Sequence, residues 1–145
     1  MLEDQELTGQ IIAAAITVHK ELGPGFLEST YEEALAVELE HLGIPFERQK
    51  TVPIFYLNRV IAEHRLDFLV AAKVVVELKA VHALESIHFS VVRSYLKALR
   101  VSSWLLLNFA SMPLTVKRVG REESARLQRT SIPIFIPEFL SSKFT

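Results

Sequence analysis

Three residues in the middle of the chain have types and spacing that suit metal-assisted chemistry. Asp67 lies in Arg65-Leu66-Asp67-Phe68-Leu69-Val70, and Glu77 and Lys79 lie in Val74-Val75-Val76-Glu77-Leu78-Lys79-Ala80. Both contexts are strongly apolar, where a lone carboxylate is costly unless it is paired or bound to a metal. The two-residue period of a strand puts Glu77 and Lys79 on one face with Val75. A short loop over Ala71 to Lys73 would set Val70 against Val74 and Asp67 against Glu77. A slip of one residue would send the carboxylates to opposite faces. Side by side, two carboxylates repel. A divalent cation removes that repulsion, and oxygen donors suit Mg²⁺ or Mn²⁺. Lys79, one step along the face, can orient or deprotonate a water and stabilise developing charge. A plain cross-strand ion pair among Asp67, Lys79 and a neighbour satisfies the same spacing.

The elements that must position these residues are legible as changes of period. Asp4 is a suitable N-cap for a first helix, along which Leu7, Ile11, Ala14, Ala15, Val18 and Leu22 form one apolar stripe. Gly23-Pro24-Gly25 ends it. A second helix is predicted over about Leu27 to Leu42, with Tyr31, Ala34, Leu35, Leu39 and Leu42 inward, closed by Gly43 and Pro45. From Phe46 to Tyr56 the pattern is that of a strand, with Phe46, Val52, Ile54 and Tyr56 sharing one parity. Pro53 makes it an edge strand or a bulged one. Asn58 marks a turn, and Val60 to Val70 reads as a second strand. Val74-Val75-Val76 opens a third, apolar on both faces and therefore central. Ser86 caps a third helix, about Ile87 to Leu99. Val101 to Phe109 and Leu114 to Val119 read as two further strands. The order ααβββαββ makes a mixed α+β (α/β) domain with helices packed on a sheet, and the fourth strand, following a helical crossover, can pair in parallel with an earlier one.

With 145 residues, half of them apolar, the chain fits one domain over 1–145 and can bury a core without staples. It has no cysteine, which excludes disulfide scaffolds, thiolate metal sites and cysteine nucleophiles. No apolar run is long enough to span a membrane. The acidic start, Met1 to Glu6, lacks the layout of a signal peptide, so a soluble cytoplasmic protein is expected. The net charge of −1 argues against binding nucleic acid by bulk charge. The distribution is uneven: residues 1–44 hold one base against nine acids, residues 45–145 fifteen bases against eight acids. A phosphate-facing surface is therefore expected on the second part. After Gly120 the character changes to a charged stretch and then Ile132-Pro133-Ile134-Phe135-Ile136-Pro137. This extension, 120–145, is expected to pack on the domain or on a second copy, making a homodimer.

His88 shares a helix face with Val91 and Tyr95 by spacing, which makes His88 and Tyr95 candidate substrate contacts. His19 precedes the Gly-Pro-Gly turn, where it complements a helix dipole or sits near Glu28. His41, His64 and His82 show no partner spacing and read as surface residues. Trp104 lies in an apolar strand and reads as core.

Taken together, Gly25-Phe26-Leu27-Glu28-Ser29-Thr30-Tyr31 behind Val18-His19-Lys20-Glu21-Leu22-Gly23-Pro24, then Ile44-Pro45-Phe46-Glu47-Arg48-Gln49, the two strand motifs above, Ser94-Tyr95-Leu96-Lys97-Ala98 and Leu105-Leu106-Leu107-Asn108-Phe109 closely resemble the bacterial GxxExxY protein family. By fold that family belongs to the PD-(D/E)XK nuclease superfamily, and the resemblance covers about residues 5–119. It implies a restriction-endonuclease-like core in which Glu28 matches the helical acid, Asp67 the first strand acid, and Glu77 and Lys79 the E-x-K. It implies a metal held by Asp67, Glu77 and the backbone carbonyl of Leu78, with Glu28 acting through a second metal or a water. The implied activity is hydrolysis of nucleic-acid phosphodiesters, DNA or RNA, by a metal-activated water. One position departs from the pattern. Relatives usually show Q-x-x-x-Y on the helix after the E-x-K strand. Tyr95 fits its Tyr, but Val91 stands at the Gln, and Val can neither bind a phosphate nor hydrogen-bond the acids. A non-catalytic module of the same fold, binding nucleic acid or a protein partner, is the competing expectation.

Overall fold

The computed structural model describes residues 4–82, 101 and 103–120. The helix expected over 87–99 with its Ser86 cap, the positions His88, Val91 and Tyr95, and the extension after Gly120 lie outside the described residues. Within them the chain runs α1 (Gln5–Leu22), α2 (Glu28–His41), β1 (Phe46–Tyr56), β2 (Arg59–Val70), β3 (Val74–Lys79), β4 (Ser103–Asn108) and β5 (Thr115–Gly120). The strands form one sheet in sequence order, with β3 and β4 parallel and every other pair antiparallel. This is the mixed α+β architecture that the element order predicts.

Both helices pack on one face of the sheet. Ile11, Ala14, Ala15 and Val18 of α1 and Tyr31, Leu35, Ala36 and Leu39 of α2 share a core with Phe68, Val70, Val74, Val76, Leu78, Leu105 and Leu107. A second cluster on the opposite face joins Val52, Leu66, Leu69, Val75, Val101 and Trp104. Strands β3 and β4 are buried on both sides, which is why they read as continuous apolar runs. Trp104 is core, as its context suggests.

Three local expectations are corrected. Asp4 stands at the N-cap position, but its backbone is left-handed (φ 52°) and its side chain does not cap α1. Thr8 instead donates its hydroxyl back to the carbonyls of Asp4 and Gln5. Leu42, predicted inward, is the half-exposed residue that follows α2. The shared parity of Phe46, Val52 and Ile54 does not put them on one face: Phe46 packs on the helix-side core, Val52 and Ile54 on the other. The same reversal occurs on β2, where Phe68 and Val70 belong to the helix side and Leu66 and Leu69 to the opposite side. Both strands therefore switch faces between their outer and inner halves. Gln49, with φ 55°, marks the switch on β1 and Asp67 marks it on β2. The ladder pairs Arg48 with Phe68 and Lys50 with Leu66, so these two residues lie at the same level of the hairpin.

Candidate active site

The site is built where β2 leaves β3. The loop over Ala71 to Lys73 sets Val70 against Val74, as the loop length predicts, and the ladder ends at Phe68 against Val76. Beyond that point β3 has no strand partner on this edge among the described residues, and its amides need other acceptors. The Leu78 N–H donates to Asp67 Oδ2 at 2.8 Å, and the next amide along, Ala80 N–H, donates to Glu28 Oε2 at 3.0 Å. Two carboxylates, one from β2 and one from the first turn of α2, thus replace a strand. A third, Glu77, accepts a long hydrogen bond from the Asp67 N–H at 3.4 Å. On the opposite edge, the Lys79 carbonyl accepts from Phe109 N–H at 2.8 Å. Since the N–H and C=O of one strand residue point to the same edge, the Leu78 carbonyl faces the gap that Asp67 occupies.

Electrostatics single out the same point. Burial pushes the Asp67 carboxyl up to about 7, and the neighbouring Glu77 adds to the rise; the Leu78 amide opposes it, while Glu32 and Glu28 raise it further. Negative charge is concentrated here, although Arg48 pairs with Glu32 and His64 stands near Glu77. Asp67 and Lys79 form no ion pair among the described residues, so the cross-strand pair that the spacing allowed is not made. Glu77 is buried and Lys79 half-buried, on the strand face opposite the helices.

Several side chains hold this arrangement. Tyr31 is fully buried, stacks on Phe109 at 4.5 Å, donates its hydroxyl to the Gly23 carbonyl and accepts from the Phe26 N–H. It thereby ties down the turn that delivers Glu28. Gly25 in that turn has φ 115°, which favours glycine. Asn108, buried at the end of β4, accepts from Val81 N–H and donates to the Val81 carbonyl, clamping the chain just past Lys79. His19 is buried and its Nε2 meets the Phe109 carbonyl at 3.2 Å, so it links α1 to the end of β4.

Two residues near the acids have no role in the sequence reading. His64, expected to be a partnerless surface residue, has Nε2 3.8 Å from Glu77 Oε1. Its position three residues before Asp67 would place it on the opposite face of a regular strand, and the face switch at Asp67 removes that signal. Glu32, one helical turn after Glu28, is held by Arg48 at 2.7 Å and by Gln49 Nε2 at 2.7 Å. Its i+4 spacing from Glu28 was the available clue. A separate cavity of about 490 Å³, lined by Ile16, His19, Lys20, Gly23, Met112, Pro113 and Leu114, holds no carboxylate.

A profile of the PD-(D/E)XK nuclease superfamily matches residues 5–119, a span that contains Glu28, Asp67 and Glu77. The chain belongs to the PD-(D/E)XK nuclease superfamily. No curated protein sequence matches it. Among solved structures it is similar to one described as the crystal structure of SSO0001, at 15% identity and a TM-score of 0.49. The match covers 70% of this chain, which spans 59% of that structure's length. PD-(D/E)XK nucleases generally use divalent metals. The donor set here suits one: two mutually repelling carboxylates and a backbone carbonyl facing the same gap are hard oxygen ligands. Among the described residues no group of three or more His, Asp or Glu side chains is placed to hold an ion. Among them also, no helix is long and apolar enough to cross a membrane.

Proposed function

We propose that this PD-(D/E)XK chain is a metal-dependent nuclease that hydrolyses phosphodiester bonds in nucleic acid. Within the superfamily, the G-x-x-E-x-x-Y motif of Gly25, Glu28 and Tyr31 favours the GxxExxY family. The observation that carries the reading is the Asp67–Glu77 carboxylate pair beside the edge of β3 that β2 abandons, with Lys79 next along the same strand.

Asp67, Glu77 and the Leu78 carbonyl are the groups that would hold Mg²⁺ or Mn²⁺. When bound, such an ion neutralises phosphate charge and makes a coordinated water acidic. Asp67 is held at the edge of β3 by the Leu78 amide. Lys79 makes no ion pair among the described residues, and its ammonium is available to position the attacking water and to stabilise charge on the phosphate. Glu28, fixed through Ala80, lies further along the same edge, where it can orient a second water or a second ion.

The test is a cleavage panel of single- and double-stranded DNA and RNA with Mg²⁺ and with Mn²⁺, run beside a thermal-shift titration of each metal. Metal should raise the melting temperature by mass action and support cleavage. Metal-induced stabilisation without cleavage of any substrate would favour the non-catalytic module, and absence of both would overturn the site.

A further inference from the structure

Strand β2 carries the site at one end and an unexplained surface at the other. Outward from Leu66, β1 and β2 pair with each other while the β2–β3 ladder covers only Phe68 to Val70, so among the described residues this stretch is a two-stranded ribbon. Val52 and Leu66 anchor its root in the second core cluster. From Phe55 to Ile61 every residue is exposed, and five of them are large and apolar: Phe55 at 36%, Tyr56 at 37%, Leu57 at 65%, Val60 at 55% and Ile61 at 58%. The turn is made by Leu57 and Asn58, with φ of 48° and 64°. Two consecutive positive values mark a type I′ turn, whose positions favour Asn, Asp and Gly. A leucine there costs about 1–2 kcal/mol in backbone strain and, at 65% exposure, recovers little of it by burial. Among the described residues nothing accounts for Leu57, and a contact beyond them would.

The choice of partner follows from what surrounds this tip. Pro53 in β1 and the register shift at Ile54/Phe55 interrupt the exposed edge, which obstructs pairing with a strand of another chain. Exposed Arg59 and Arg65 on β2 outnumber Glu63 between them. The ribbon is continuous with Asp67, and at about 3.3 Å per residue its tip stands roughly 30 Å from that carboxylate. That is about nine base pairs of duplex at ~3.4 Å each. A two-stranded ribbon fits a DNA groove, and apolar side chains at such a position can enter a base step.

We propose that the β1–β2 ribbon engages duplex DNA, with Arg59 and Arg65 on the phosphates and the Leu57 tip wedged at a base step about nine pairs from the scissile bond. The inference rests on the nuclease reading and extends it to the substrate. The test uses the full chain with Lys79→Ala, so that a duplex stays intact in Mg²⁺, and a 30-base-pair DNA probe carrying 2-aminopurine at successive steps. Adding Leu57→Gly should weaken binding by at least ~10-fold and abolish the rise in 2-aminopurine fluorescence. It should leave the salt slope unchanged and the melting temperature equal or higher, since glycine suits the turn. Leu57→Asn, also suited to the turn, should behave alike. Arg59→Ala and Arg65→Ala should each lower the salt slope by about 1. Unchanged DNA affinity in both Leu57 variants overturns the wedge, and does so while leaving the nuclease reading intact if the Lys79-containing chain still cleaves. Unchanged affinity together with lost self-association assigns the tip to a second copy instead. A parent chain that neither binds nor cleaves any nucleic acid overturns both readings.

Discussion

The two halves of β2 differ more than most separate elements do. Leu66, Phe68, Leu69 and Val70 are buried, with Asp67 partly so, whereas Arg59 to Glu63 are all exposed. The inner half lies between two covered faces and has β1 and β3 as neighbours; among the described residues the outer half pairs with β1 alone. Composition separates them only in part: the outer half carries Arg59, Glu63 and Arg65, yet its Val60 and Ile61 are as apolar as Leu69 and Val70. What separates them is how many strands the ladder supplies. The chemistry sits at the boundary, where β3 keeps its backbone donors and loses the strand that would have taken them.

The largest contrast expected between the halves is in catalysis. Asp67→Ala and Lys79→Ala should each lower metal-dependent cleavage by ~10²–10⁴-fold with an unchanged far-ultraviolet circular dichroism spectrum, whereas Glu63→Ala on the outer half should leave the rate within a few-fold. Stability gives the next contrast. Phe68→Ala empties a fully buried position in the helix-side core and should cost about 3–5 kcal/mol in urea unfolding, while Ile61→Ala should stay within ~0.5 kcal/mol. Equal costs would show that the outer half is buried in solution.

The boundary itself should respond to pH. The Asp67 carboxyl lies near 7 in the folded protein against an ordinary 3.8. Between these values the folded state binds the extra proton, so metal-free stability should fall as pH rises from about 4 to about 7 and level off above. Asp67→Asn should flatten that slope, and Mn²⁺ should stabilise the protein most at the upper end, where the carboxylate is charged. A slope of opposite sign that disappears in Asp67→Asn would contradict the charge crowding at the boundary. The smallest effect concerns the turn that delivers Glu28. Tyr31→Phe removes a donor to Gly23 and an acceptor for Phe26, and should cost ~1–2 kcal/mol with a modest loss of cleavage. A variant as stable and as active as the parent would separate the turn from the site.

Much of this was readable in one dimension because it depends on local period. The α1 stripe, the three-residue connection that sets Val70 against Val74, the central strands Val74-Val75-Val76 and Leu105-Leu106-Leu107, and the edge position of the proline-bearing strand all follow from spacing and side-chain type. So does the candidacy of Asp67, Glu77 and Lys79, since charged residues inside apolar runs require partners. The reversal of faces at Gln49 and Asp67 did not follow, because a parity rule assumes a regular backbone, and a positive φ at Gln49 breaks it without any glycine to announce it. That reversal is what brings His64 to Glu77 and separates Phe46 from Val52. Nor could spacing show that Glu28, 39 positions before Asp67, would bond the amide after Lys79. Sequence determined which residues needed partners; the partners were decided in three dimensions, because backbone amides left by a departing strand donate to whichever carboxylates the packing of α2 and β2 brings within reach.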